Sequence, residues 1–395
     1  MSQAKVDYKL FFAIFFLIIF MIMISSVSVY PSFRVTSAMA KAGLIESSYN
    51  YFYVIRNIFH VVLSMVLLFI VKIPYTFFEK HSRFFLFFTV ILLVVVLIIP
   101  SWNGARGWIN LPFLPFAIQP TEFLKLSLII YFAYFFKKYK VLHTFSDGFI
   151  PFSIILFILV FLTLQPDFGT ILLIVPLAMI MFFTAGANVK YLFILVISIV
   201  FASLIYGLKY NKSFPESRNK LSYITDRIDN FLSDNEQAIK NKTINYQTEQ
   251  ALIAISGFGG LFKSIQKFYL PEVQGDFIFS VIVEELFFGT ILILLYIYIG
   301  YRFLIANHVS DLFAKYVATG ITTWILLQAF INIGINLNIV PLTITLPFVS
   351  YGSSLLSLSV ALAILLNISR YADFSKKKCR GQATKFIQLF SKNPF

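Results

Sequence analysis

Long apolar runs without a single charge recur along this chain, and nothing else in the sequence constrains its fold as tightly. The stretches 84–100 and 168–184 contain no Asp, Glu, Lys or Arg, each running about 17 residues, near the lower limit for a helix crossing a hydrocarbon core of roughly 30 Å. Runs of this kind are expected as spans near 10–30, 51–71, 84–100, 120–136, 149–165, 168–185, 190–208, 277–301, 316–339 and 348–369. Every span must be helical, because lipid offers no partner to an open backbone N–H or C=O. The composition agrees: 59% of the 395 residues are hydrophobic, 13% are charged and 48 are Phe. The expectation is an all-α, polytopic membrane protein of about ten transmembrane helices.

Orientation follows from the basic residues. With the amino terminus inside, the inner segments hold 18 Lys and Arg and the short outer loops hold three, Arg34, Lys41 and Arg106. That asymmetry places both termini in the cytoplasm. Nine more lie in an outer loop of about 209–276, too long to obey the bias. The net charge of +14 is mostly this topology signal plus a basic tail, 370–395, so it does not argue for nucleic acid. The first apolar run is longer than the core of a cleaved leader and reads as a retained helix. The lone cysteine, Cys379, falls in the cytoplasmic tail and has no partner for an internal disulfide. No internal repeat is visible, so residues 1–395 read as one membrane domain. The outer loop is polar up to Gln250 and then turns apolar and Gly-rich at Ile253-Ala254-Ile255-Ser256-Gly257, as an interfacial or re-entrant segment would.

Polar residues gather at the outer ends of the spans. One cluster is Asn103-Gly104-Ala105-Arg106-Gly107-Trp108-Ile109-Asn110, then Gln119-Pro120-Thr121-Glu122 and Lys125. Pro120 and Glu122 suit a helix start, so Glu122 has a capping role open to it. Lys125 lies three residues further on the same face, and an ammonium inside a span costs at least about 2.5 kcal/mol unless it pairs with Glu122 or binds an anion. Arg106 beside Lys125 makes a phosphate site. A second cluster, Gln165-Pro166-Asp167-Phe168-Gly169-Thr170, leaves Asp167 either as a helix cap or as a site residue. In a third, Gly275-Asp276-Phe277 leads into a span with Glu284 and Glu285; Asp276 is a cap or a cleft carboxylate, and one glutamate is expected to pair with a base such as Arg56. The fourth runs from Gln328 through Asn332, Asn336 and Pro347 to Ser350 and Gly352, where amides signal helix packing or a water-filled cleft and Pro347 with Gly352 a broken turn. Catalytic serine triads, HExxH, P-loop and CxxC patterns are all missing from the sequence.

These clusters resemble, in order, segments of the SEDS family of peptidoglycan glycosyltransferases, the RodA, FtsW and SpoVE group. Residues 103–110 are similar to its NGARRWI element, 165–170 to QPDFGT, 266–279 to its QKF-YLPE and TDFIF elements, and 332–354 to its NIG, ITLPF and SYGGSS elements. Gly107 stands where a second arginine is usual, and Val283 and Phe287 replace glycines. The wording around 266–270 and 365–370 is nearer the FtsW branch than the RodA branch. The resemblance implies polymerisation of lipid II at the outer face of the bacterial cytoplasmic membrane, with release of undecaprenyl pyrophosphate. It implies Asp276 as the catalytic base, and substrate binding by Arg106, Lys125, Glu122, Gln119, Asp167 and Ser350, with Arg56, Glu284 and Glu285 in support. A divalent cation, magnesium or manganese, is an open expectation, since the oxygen ligands such ions favour are scattered over several loops. The usual partner of the family is a class B penicillin-binding protein, a transpeptidase. A lipid II flippase is the competing reading, although transporters favour repeats and a midplane site.

Overall fold

The computed structural model describes residues 58–60, 62–67, 69–99, 107–110, 117–139, 153–155, 157–158, 161–162, 167–186, 242–257, 275–286, 311–340, 342–350 and 354–368. The expected spans 10–30 and 190–208, Cys379 and the basic tail lie outside them, as do Arg56 and Arg106.

After a 3-10 turn, Phe69–Lys72, come α1 (Tyr75–Lys80) and α2 (Ser82–Ile98). In α2 the residues Ser82, Leu86, Thr89, Leu93 and Val96 are buried, alternating steps of four and three along one stripe. The opposite face carries Phe84, Phe87, Phe88 and Ile91, all exposed. A phenylalanine-rich outer surface of this kind suits hydrocarbon rather than water. The Thr89 hydroxyl stays satisfied inside its own helix by donating to the Phe85 and Leu86 carbonyls.

A two-residue antiparallel pairing, β1 (Ile109–Asn110) with β2 (Ala117–Ile118), leads into α3 (Pro120–Tyr139). Helix α3 is central. Most of its faces are buried, and α1, α2, α4 (Phe168–Thr184) and α7 (Leu312–Asn336) all pack on it. At 25 residues, α7 is about 37 Å long, enough to cross the hydrocarbon core; among the described residues it is the one helix that is both long and apolar enough by those criteria. It threads between α3 and α4 through Gly320, where a Cβ would come within 2.6 Å of the Ile129 Cγ2 and 3.1 Å of the Met181 Sδ. Nearer the α7 start, Phe136 meets Phe182 and Tyr316 edge to face at 5.3 and 5.8 Å, knitting the same three helices together.

The segment 209–276, expected as an outer loop, is not wholly irregular. Helix α5 (Lys242–Ser256) forms across its switch from polar to apolar residues, burying Ala251 and Ala254 and leaving Leu252 and Ile253 exposed. It packs on α6 (Ile278–Leu286), and both touch α7. The last expected span starts later than its hydropathy suggests: α8 is Ser354–Ile368, because Phe348 takes a positive φ of 64° just after Pro347 and breaks the backbone. That break was legible from Pro347.

At one end of the bundle Lys137 Nζ reaches Glu79 Oε1 at 2.7 Å and Asp311 Oδ1 at 3.0 Å, tying α3 to α1 and to the start of α7. Asp311 also caps α7, accepting from the Phe313 N–H. Lys80, Arg83, Lys137 and Lys315, all assigned to the cytoplasm by the positive-inside count, thus come from segments that meet at a common end.

Candidate active site

The opposite end gathers the starts of α3, α4, α6 and α8, the end of α7 and the irregular segment 342–350.

Gln119 immediately precedes α3, and its carbonyl accepts from the Glu122 N–H at 3.1 Å. Pro120 occupies the first helical position, where no intrahelical donor is required. One turn on, Lys125 Nζ sits 2.8 Å from Glu122 Oε1, with the two side chains 1% and 6% exposed. The expected pairing therefore forms. Around it, Lys125 Nζ also donates to Gln328 Oε1 at 3.3 Å and lies 5.3 Å from the Trp324 ring, while the Ser357 hydroxyl, which donates to the Ser354 carbonyl at 3.0 Å, stands 3.5 Å from Glu122 Oε2. An anion reaching Lys125 has to share its ammonium with Glu122.

Asp167 is the cap of α4. Its Oδ1 accepts from the Thr170 N–H at 3.0 Å and its Oδ2 from the Thr170 hydroxyl at 2.8 Å, so of its two open roles the structure displays the structural one. Gly169 explains why the neighbouring position is bare: a Cβ there would collide with the Thr343 carbonyl, and so α4 begins in contact with the segment after α7.

Asp276 does not begin α6, as the sequence suggested. Helix α6 starts at Ile278, and Asp276 belongs to the turn Gly275-Asp276-Phe277 before it, where Gly275 and Asp276 are half-buried and Phe277 is buried. Its carbonyl accepts from Asn332 Nδ2 at 2.8 Å and from Asn336 Nδ2 at 2.9 Å. The preceding carbonyl, of Gly275, accepts from the Ser350 hydroxyl at 2.7 Å. In the first turn of α6, the Ser280 N–H donates to Asn336 Oδ1 at 3.1 Å and the Ser280 hydroxyl to the Phe277 carbonyl at 2.7 Å. Ser350, expected to bind substrate, is buried; its proton goes to Gly275 and its oxygen accepts from the Leu346 N–H at 2.6 Å. It holds the Asp276 turn.

Sequence reasoning left Asn332 and Asn336 as packing or cleft residues and so missed them as the clamp on Asp276. Their spacing of four on one face of α7, next to a chain break, was the available signal. Glu284 is buried on α6, whereas the Glu285 side chain, Arg56 and Arg106 lie outside the described residues. Among the described residues no three His, Cys, Asp or Glu side chains stand close enough to share a metal ion.

A helical bundle with a lipid-suited phenylalanine face, a buried ion pair and a turn pinned through its backbone has the architecture of a polytopic membrane protein. The family model described as cell cycle protein, covering FtsW, RodA and SpoVE, matches residues 9–373, and the chain belongs to that family. Stage V sporulation protein E of Bacillus subtilis (strain 168) is 35% identical in an alignment that covers 82% of this chain and 89% of that protein. The probable peptidoglycan glycosyltransferase FtsW of Wigglesworthia glossinidia brevipalpis is 34% identical in an alignment that covers 95% of this chain and 100% of that protein. Two solved structures share the fold. Thermus thermophilus RodA superposes with a TM-score of 0.62 at 21% identity, over 94% of this chain and 98% of that one. A chain from a peptidoglycan synthase complex, in which polymerization and crosslinking are coordinated, gives 0.65 at 23% identity, over 90% of this chain and 98% of that one.

Proposed function

We propose that the protein is a peptidoglycan glycosyltransferase that polymerises lipid II at the outer face of the bacterial cytoplasmic membrane, with both termini inside. The observation that carries this reading is Asp276: a carboxylate on a partly exposed turn whose backbone three side chains hold in place, in a chain of this family. Glycosyl transfer needs a base for the attacking hydroxyl and positive charge for the departing pyrophosphate. Asp276 takes the proton of the acceptor sugar's 4-hydroxyl as that oxygen bonds to the anomeric carbon of the donor. The bond from that carbon to the phosphate oxygen breaks, and undecaprenyl pyrophosphate leaves with the electron pair. Arg106 and Lys125 meet the pyrophosphate charge, and Glu122 holds Lys125 in readiness. No step here runs through a metal ion. The Asp276 turn, the Glu122–Lys125 pair and the amides of α7 all stand toward the same end of the bundle, which supports polymerisation at one membrane face rather than transport across it. A class B penicillin-binding protein is the partner proposed to crosslink the product.

Purified protein in liposomes with labelled lipid II tests the reading. A positioned base contributes about 10²–10⁴ in rate. Asp276→Asn is therefore expected to fold and to bind lipid II while losing at least a hundredfold in polymerisation. Polymerisation by that variant at the wild-type rate overturns the assignment of the base, and translocation without polymer overturns the enzyme.

A further inference from the structure

Gln328, Asn332 and Asn336 stand four residues apart on α7, which places them on one face over a rise of about 12 Å. All three are fully buried. Their hydrogen atoms are accounted for by backbone and side chains of this chain. Gln328 Nε2 donates to the Thr345 carbonyl at 3.0 Å and the Thr345 hydroxyl at 3.1 Å, while its Oε1 accepts from Trp324 Nε1 at 2.7 Å and from Lys125. Asn332 Nδ2 donates to the Ile344 carbonyl at 2.7 Å and to the Asp276 carbonyl. Asn336 Nδ2 donates to the Asp276 and Asn332 carbonyls, and its Oδ1 accepts from Ser280. An amide with both protons committed has none to offer a sugar or a phosphate. These residues are therefore neither a substrate lining nor the walls of a wet cleft.

We infer that Asn332 and Asn336 are positioning residues that set where the Asp276 carboxylate stands, and that Gln328 ties the same helix face to Lys125, so that α7 fixes the spacing between base and cation. The inference rests on the reading of Asp276 as the base. The physics is that of pre-organisation. Two donors converging on the Asp276 carbonyl, with Ser350 on the carbonyl before it, fix the peptide planes on which the carboxylate is mounted. Without them the turn gains freedom of order an ångström, and misplacement by about 1 Å lowers a rate roughly 10²-fold.

The test compares Asn332→Ala and Asn336→Ala with Asp276→Asn in liposomes containing labelled lipid II. Each asparagine variant is expected to polymerise about a hundredfold more slowly at saturating lipid II, with unchanged lipid II affinity. The separating measurement is the double variant Asn336→Ala with Asp276→Asn. A residue acting through Asp276 adds nothing once the carboxylate is gone, whereas a merely structural residue lowers the residual rate again. Asn332→Ala also strands the Ile344 carbonyl; if it does not fold, Asn336→Ala and Ser350→Ala decide. Wild-type rates in the asparagine variants beside an inactive Asp276→Asn overturn the inference alone, as does additivity in the double variant. A fully active Asp276→Asn overturns the base assignment instead, and the inference with it.

Discussion

Replacing Glu122 by leucine strands a cation inside the bundle. Lys125 is 1% exposed and its salt-bridge partner is Glu122 at 2.8 Å, so Glu122→Leu leaves its ammonium with Gln328 Oε1 at 3.3 Å and the Trp324 ring at 5.3 Å. Removing one partner of a buried pair costs about 3–5 kcal/mol, because the other charge stays desolvated. The cation–π contact already exists beside the intact pair and returns nothing new, so the full loss of about 3–5 kcal/mol is expected. The double variant Glu122→Leu with Lys125→Met removes both charges at similar volume and is expected to regain stability to within about 1 kcal/mol of the parent. Unfolding by SDS titration in mixed micelles reads both numbers, and lipid II binding is measured on the same samples. The double variant is expected to be stable yet weak in binding undecaprenyl pyrophosphate, which separates the structural task of Lys125 from its ligand task. A double variant as unstable as the single one refutes the argument from uncompensated charge.

Three further outcomes follow from the geometry. Asp167→Ala is expected to lose about 1 kcal/mol of stability, as a removed cap does, and to polymerise lipid II within a few-fold of the parent; loss of binding in a stable Asp167→Ala would return that residue to the substrate. Gly169→Ala, whose Cβ would meet the Thr343 carbonyl, is expected to cost about 1–3 kcal/mol by overpacking, visible as a lower SDS midpoint. Cys379 is expected to resist an impermeant thiol reagent in intact cells and to react after lysis, and labelling in intact cells contradicts the orientation drawn from the basic residues.

The parts of this molecule that were legible in the sequence are those set by local pattern. Charge-free length announced α2, α4 and α7, and the three-residue spacing of Glu122 and Lys125 announced a pair that needs nothing beyond one helix face. Pro347 announced the break before α8. What stayed hidden depends on partners far away in the chain. Asn332 and Asn336 meet the Asp276 carbonyl across 56 and 60 residues, a distance at which an amide in a span reads only as polar. Asp167 was ambiguous for a related reason: a cap and a ligand use the same oxygens, and only the Thr170 contacts separate them. The hold of Ser350 on the Gly275 carbonyl, 75 residues away in the chain, was hidden in the same way. Helix α5 was masked by the polarity of its first half, which local hydropathy reads as loop.

Helices α2 and α4 each have 17 residues, so each rises about 25 Å where an average hydrocarbon slab is roughly 30 Å thick. Both ends of α2 are real ends, since Ile99 turns to extended backbone and His81 leaves the helical region. Such hydrophobic mismatch is met by thinning the surrounding bilayer, at fractions of a kcal/mol per ångström. Snorkelling of flanking side chains and association with further helices are the other ways such a mismatch is met, so the thickness of the surrounding membrane becomes a variable of how α2 and α4 are seated.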